Sequence, residues 1–276
     1  MLDLMLGNAD DAFSSGEIYA LFRPFREHHF SPVCTCGSRD CAAWRDLRKV
    51  SERDFHARVL ERPDVNFVID SSKDLRWTLN SNRWARQHGY GVRNVLIWKD
   101  PIDLAHSHWK RGRPIDYFRK QFVDYYERFL ELGLPFVSVS YKDLVEQPGE
   151  MLALLCNELG MNYFPGKEEF WYKKHHHFFG SAGTARQVGS GNSRVRLLRD
   201  FPEEFVRAYD EYLEHSRPDF KIDAIVEQLR GHDLLNVNRP PALDSKKSGL
   251  RPVWYYRHVL KALFRRYFPE RTSIAD

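Results

Sequence analysis

The sequence predicts an α/β fold, a parallel central sheet flanked by helices, and three observations carry that expectation. Residues 65–70, Val-Asn-Phe-Val-Ile-Asp, and 93–98, Arg-Asn-Val-Leu-Ile-Trp, are short apolar runs that read as buried strands. Between them, residues 75–88 place apolar or aromatic side chains at 75, 79 and 84 and stop at Gly89, which predicts a helix with a glycine C-cap. Strand, helix, strand implies a right-handed parallel crossover, and the unit repeats downstream.

The repeat runs through residues 117–132, where Phe118, Phe122, Tyr125, Tyr126 and Phe129 recur at helical spacing, to a third strand at 135–139. These aromatic residues are read as core. Pro148 opens a helix that runs to about 159 and ends at Gly160, and the His-, Gly-, Ser- and Arg-rich stretch 173–200 reads as loop. An α/β domain over residues 1–235 is followed by a linker at 236–252, where three prolines and Lys246-Lys-Ser-Gly249 fall close together. Residues 253–276 read as a basic amphipathic helix and tail: Tyr256, Val259, Leu260, Leu263, Phe264 and Tyr267 share a face, with Arg257, Lys261, Arg265 and Arg266 largely opposite. Two readings of that helix stay open, one docked on the domain or a dimer partner, the other touching an anionic lipid surface or polyanion.

Composition narrows the function classes. A chain of 276 residues that is 42% hydrophobic is long enough to bury roughly 75% of its unfolded surface, so it needs no disulfide framework for stability. No run of about 18 apolar residues occurs, and the first twenty residues carry no secretory-signal pattern, so the expectation is a cytoplasmic protein. The net charge of +4 is too balanced for a nucleic-acid binder. Residues 241–276 hold a net +5, with eight basic residues against three acids, and the other 240 residues carry about −1.

The residues that suggest chemistry follow the strands. Lys73 and Lys99 fall just after the first two predicted strands, where ligands sit in a parallel α/β sheet, and two cations there suit an anionic ligand. Pro101 opens a helix that places Ser107 within its first two turns, so a lysine and a hydroxyl can surround one phosphate.

Asp70-Ser-Ser-Lys73, the Lys99-Asp-Pro101 turn with Ser107 eight residues beyond Lys99, and Val139-Ser-Tyr141-Lys-Asp-Leu144-Val-Glu-Gln-Pro148 together resemble the sulfotransferases that use 3′-phosphoadenosine 5′-phosphosulfate. The resemblance covers roughly residues 1–200 and implies a fold of the P-loop nucleotide-hydrolase kind. It also implies transfer of a sulfonate group to the hydroxyl of an acceptor, a carbohydrate or small molecule, with no metal required. Lys99 and Ser107 would then hold the donor's 3′-phosphate and Tyr141 would lie near the adenine. Lys99 stands where the family usually has Arg, and it supplies the charge without the bidentate fork. Ser14-Ser-Gly-Glu17 is similar to the segment carrying the catalytic base in several members, which makes Glu17 the candidate base, at the start of a helix over 18–25. Lys73 matches a lysine near the transferring sulfonate.

The family's Ser-Gly-Thr-like loop after its first strand, which cradles the 5′-phosphate, has no counterpart here. Residues 1–10 read as the helix that should follow it, with a glycine C-cap, so the first strand and loop are expected upstream of Met1. The other reading is a catalytically impaired remnant that binds a nucleotide or polyanion. A nucleotide kinase would instead need a Gly-Lys-Ser/Thr loop and Mg²⁺.

Two clusters remain. Cys34, Cys36 and Cys41 leave zinc, a disulfide and free thiols open, since their spacing matches no common zinc knuckle. The resemblance favours an acceptor-side loop there, so no metal site is assigned. Consecutive His175, His176 and His177 cannot all face one ion from regular structure and read as a loop near the active site or surface, and Arg186, in a Gly180–Arg186 stretch loosely similar to a family element, is the last candidate for contact with the cofactor or an anionic acceptor.

Overall fold

A computed structural model describes residues 1–180, 182–191, 200–216 and 220–239. The basic segment 253–276 and most of the predicted linker lie outside the described residues.

The chain begins with α1 (Leu2–Leu6), whose C-cap Gly7 has φ −71° rather than the expected left-handed conformation. Its glycine serves close packing instead: a Cβ there would lie 2.8 Å from the Ser14 Cβ. Next comes a strand outside the sequence expectation, β1 (Ala12–Gly16), followed by the short α2 (Tyr19–Phe22), where a helix over 18–25 is expected. β1 escapes periodicity because its inward residues are small and polar; Ser14 and Ser15 are both buried. The Ser15 hydroxyl donates to the Ile69 carbonyl at 2.8 Å, whereas the buried Ser14 hydroxyl has no hydrogen-bond partner among the described residues.

After α3 (Phe55–Leu60), the predicted units appear in order: β2 (Phe67–Asp70), α4 (Leu75–Gln87), β3 (Asn94–Trp98), α5 (Pro101–Trp109), α6 (Tyr117–Leu130) and β4 (Phe136–Ser140). The Asp74 carboxylate caps α4 by accepting from the Trp77 amide at 2.8 Å. Pro101 and Pro148 occupy the first turns of α5 and α8, where a missing amide costs nothing. α7 (Tyr141–Glu146) and α8 (Pro148–Leu159) follow, and Gly160 at φ +70° closes α8 as expected. Short α9 (Ala182–Ala185) precedes α10 (Glu203–His215) and α11 (Phe220–Gly231). The chain then returns to β4 through the Leu234 amide, which donates to the Ser138 carbonyl at 2.9 Å.

The fold is mixed α/β with parallel pairing, but the single central sheet expected from the sequence is divided. β1 pairs with β2 and β3 with β4, both parallel, and among the described residues no hydrogen bond joins β2 to β3. Their facing edges line a cleft of ≈ 940 Å³, into which α1 and α6 also project. No described strand lies between β2 and β3, and each inner edge is unpaired among the described residues.

Three apolar clusters hold the layers. α1, β4, α7 and α8 form one; β3, α5, α6, α10 and α11 form the second; Trp44, Phe55, Trp77 and Phe178 centre the third. α6 behaves as its spacing predicts, burying Phe118, Phe122, Tyr126 and Phe129. Phe118 is 1% exposed and meets Tyr209 and Tyr212 of α10, so Phe118→Ala is expected to cost about 3–5 kcal/mol. Urea unfolding should show this as a lower midpoint with unchanged slope.

Candidate active site

The site begins where β1 and β2 end side by side. Their register runs Ala12 to Phe67, Phe13 to Val68 and Ser14 to Ile69, then slips so that Gly16 faces Asp70. The bulge leaves Gly16 at φ +71°, a backbone that favours glycine, and a Cβ there would lie 2.0 Å from the Phe178 carbonyl oxygen. The turn aims the next side chain, Glu17, across to Lys73 on the neighbouring strand end, and the two form an ion pair. Two hydrogen bonds hold the strand ends together around that pair: Ser71 N to the Gly16 carbonyl at 2.9 Å and Tyr19 N to Ser72 Oγ at 2.9 Å.

Asp70 supports the turn that carries Lys73. Its carboxylate accepts from Trp77 Nε1 at 2.7 Å and the Ser72 amide at 2.9 Å, and lies 3.0 Å from His56 Nε2. Burial alone would raise the Asp70 pKa, but the hydrogen bonds and the attraction of His56 outweigh it and hold the carboxyl below its ordinary value. Asp3, at the rim of the same cleft, is treated alike: burial raises it, but the α-amino group of Met1 at 2.7 Å brings it down, and it accepts from Ser71 Oγ at 3.0 Å.

The second lysine forms a separate half of the site. Lys99 follows β3, and its ammonium lies 4.1 Å from the centroid of the Tyr141 ring, at the end of β4. Burial lowers the Lys99 pKa, Arg111 and Lys110 act in the same sense, and Asp103 opposes them. Burial also raises the Tyr141 hydroxyl, helped by Asp103.

Glu17 and Lys73 are therefore brought together, and so are Lys99 and Tyr141, each pair at the carboxyl ends of paired parallel strands. Glu17 and Lys73 line the large cleft, together with Leu104 and His108 of α5; Lys99, Ser107 and Tyr141 do not. Ser107 is half-buried on α5, and no hydrogen bond joins it to Lys99 among the described residues. Arg186 is exposed in the turn after α9 and does not line the cleft. Sequence reasoning misses Asp3 and His56, because Asp3 meets Ser71 and His56 meets Asp70 only in the folded chain; His177 also borders the cleft. The only local signal is the acid that opens Asp70-Ser-Ser-Lys73.

The arrangement provides a carboxylate beside a lysine at one strand-end pair and a half-buried lysine against an aromatic ring at the other. Such a set can accept a proton from a nucleophile and hold anionic groups.

No family model matches the chain, and no curated protein matches it. Among solved structures it is similar to a sulfotransferase domain from the curacin biosynthetic pathway, with 14% identity over 83% of this chain and 92% of that chain and a TM-score of 0.48.

Replacing Gly16 with alanine puts a side chain into strained backbone and against the Phe178 carbonyl, and is expected to destabilise the protein by at least about 1–3 kcal/mol in thermal unfolding. Asp70 supplies a pH signature. Because its folded-state pKa is depressed, its stabilisation is complete above the unfolded value of about 3.9 and is lost as pH falls toward the folded value. Asp70→Asn should remove that part of the acid slope and cost about 1–3 kcal/mol near neutral pH.

Proposed function

We propose that this protein is a sulfotransferase that uses 3′-phosphoadenosine 5′-phosphosulfate as donor and a hydroxyl-bearing carbohydrate or small molecule as acceptor. The observation that carries the reading is the Glu17–Lys73 pair at the head of the cleft. An alcohol loses its proton with difficulty at neutral pH, so a carboxylate within hydrogen-bond reach is the group such a transfer needs. Lys73 beside it can stabilise the charge that develops on the bridging oxygen as the sulfonate leaves.

In the step itself the acceptor oxygen attacks sulfur, the new O–S bond forms in line as the bond to the 5′-phosphate breaks, and Glu17 takes the hydroxyl proton. The products are the sulfated acceptor and 3′-phosphoadenosine 5′-phosphate. Lys99 and Ser107 would bind the 3′-phosphate, Tyr141 would pack near the adenine, and Arg186 would approach the cofactor from its loop. The basic segment 253–276 would make peripheral contact with an anionic surface, and the reaction would run in the cytoplasm. A 5′-phosphate cradle is required as well, and the unpaired inner edges of β2 and β3 are where a further strand bearing it would fit.

The same open edges favour a second reading, a nucleotide- or polyanion-binding remnant with impaired turnover. One pair of experiments separates the two. A thermal-shift titration with 3′-phosphoadenosine 5′-phosphate at a hundred times its Kd should add about 2.7 kcal/mol, a rise of roughly 5–10 °C, and Lys99→Ala should abolish most of it. The shift should weaken as pH rises through the lowered Lys99 pKa, below the ordinary lysine range, because neutral Lys99 loses its attraction for phosphate. Sulfonate transfer that falls about 10²–10⁴-fold in Glu17→Gln while nucleotide binding persists supports the enzyme. Binding without transfer supports the remnant, and no shift either in this folded chain or in one extended upstream of Met1 sinks both.

A further inference from the structure

The cysteine cluster gains a fourth member in three dimensions. Cys34, Cys36 and Cys41 come from one loop, and His176 reaches them from a segment some 135–142 residues away. The three sulfurs and one ring nitrogen all lie within 4.8 Å of one another, with His176 Nδ1 3.1 Å from Cys41 Sγ and 3.8 Å from Cys34 Sγ. A tetrahedral zinc with Zn–S of about 2.3 Å and Zn–N of about 2.0 Å needs ligand atoms roughly 3.4–3.8 Å apart, so sub-ångström side-chain adjustment closes the site. All three cysteines are free thiols.

The surroundings are those of a built site. The turn from Cys34 to Gly37 is closed by Gly37 N donating to the Cys34 carbonyl at 2.8 Å, with Gly37 at φ +87°. Cys34 N donates to the Ser38 carbonyl at 3.1 Å, which folds the loop back on itself. Trp44 Nε1 donates to the His176 carbonyl at 3.2 Å, and Thr35 grips both neighbours, its hydroxyl donating to the His175 carbonyl at 2.7 Å and its amide to the His177 carbonyl at 3.1 Å. Cys34 and Cys41 are 2% and 4% exposed, against a floor that includes Trp44 and Phe178. Thiols are weak donors and weak acceptors, so three of them turned toward one imidazole nitrogen satisfy little by themselves. A divalent cation removes all three thiol protons at once and resolves the crowding.

We propose that Cys34, Cys36, Cys41 and His176 bind one zinc ion, as a closed structural site. Four protein ligands fill the tetrahedron and leave no position for water or substrate, so the ion staples rather than catalyses. Of the three readings left open by the cysteine spacing, this selects zinc, on a ligand that the spacing could not reveal. It also gives the three consecutive histidines different partners: His176 faces the thiols, while His177 Nδ1 lies 3.2 Å from Thr35 Oγ1 and its ring borders the cleft. The staple ties the 34–41 loop to the segment whose Phe178 carbonyl accepts from Glu17 N at 3.2 Å, so it braces the backbone that carries Glu17. The site itself does not depend on sulfonate transfer.

The test is metal content of the full chain, purified under reducing conditions from zinc-supplemented medium and passed through a chelating column. About one zinc per chain is expected by elemental analysis, lost in Cys36→Ser and in His176→Ala, and kept in Cys156→Ala, whose thiol lies in another cluster. If a ligand variant fails to fold, cobalt exchanged into the unaltered protein carries the test through the absorption bands of a tetrahedral thiolate site. A metal-free protein with three reactive thiols, a chain lighter by the two hydrogens of a disulfide, or zinc retained in both ligand variants would each overturn the proposal, whatever the nucleotide titration shows.

Discussion

Everything near the site turns on the slip in register between β1 and β2. Two parallel strands pair residue for residue until Ser14 and Ile69, and there the bulge at Ser15 and Gly16 changes the direction of the chain. Without it, Glu17 would continue along the strand. With Gly16 at φ +71° the next side chain swings to the neighbouring strand end and meets Lys73. The same bulge lets the 175–178 segment approach so closely that Phe178 pairs with Gly16, bridging the strand end to the cysteine loop. A glycine is needed twice over, for the backbone angle and for the space.

A second constraint is the division of the sheet. β2 and β3 carry apolar side chains suited to a buried strand, yet each has an unpaired inner edge, and Ile97 stays 37% exposed. Much of the chain packs well around that opening. α1 and α8 share one apolar cluster on one side, and α6 with α10 and α11 fills another. The cleft is therefore a gap between two well-founded halves rather than a poorly packed core, and it lies beside the strand ends that hold Glu17 and Lys73. The two strand-end pairs, Glu17 with Lys73 and Lys99 with Tyr141, sit on opposite halves. An anionic ligand that spans both would also hold the halves in one arrangement.

Burial separates the two lysines chemically. Lys73 has a 72% exposed side chain and a carboxylate partner, whereas Lys99 is half-buried against an aromatic ring with other cations nearby. An anion beside Lys99 would restore more lost solvation than one beside the exposed Lys73, since a desolvated cation recovers most when an anion arrives.

The sequence by itself determined the regular elements wherever periodicity is strong. The apolar runs around 67–70, 94–98 and 136–140 are strands, and the spacing of Phe118, Phe122 and Phe129 is a buried helix face, because local pattern and burial coincide there. It also singled out Lys73 and Lys99, since residues just past strand ends face the same edge of a parallel sheet, whereas Glu17 and Tyr141 were legible only through the family resemblance. Tertiary structure alone decided the rest. β1 has no periodicity of its own and is fixed by its parallel pairing with β2, whose Ile69 carbonyl takes the Ser15 hydroxyl, and Asp70 is committed by His56 and Trp77 to supporting a turn. His176 joins the cysteines because hydrogen bonds from Thr35 to the His175 and His177 carbonyls bring residues some 140 positions apart into one layer. Side-chain chemistry is written locally, but partnership at long range depends on which backbone edges find each other, and a linear pattern does not contain that information.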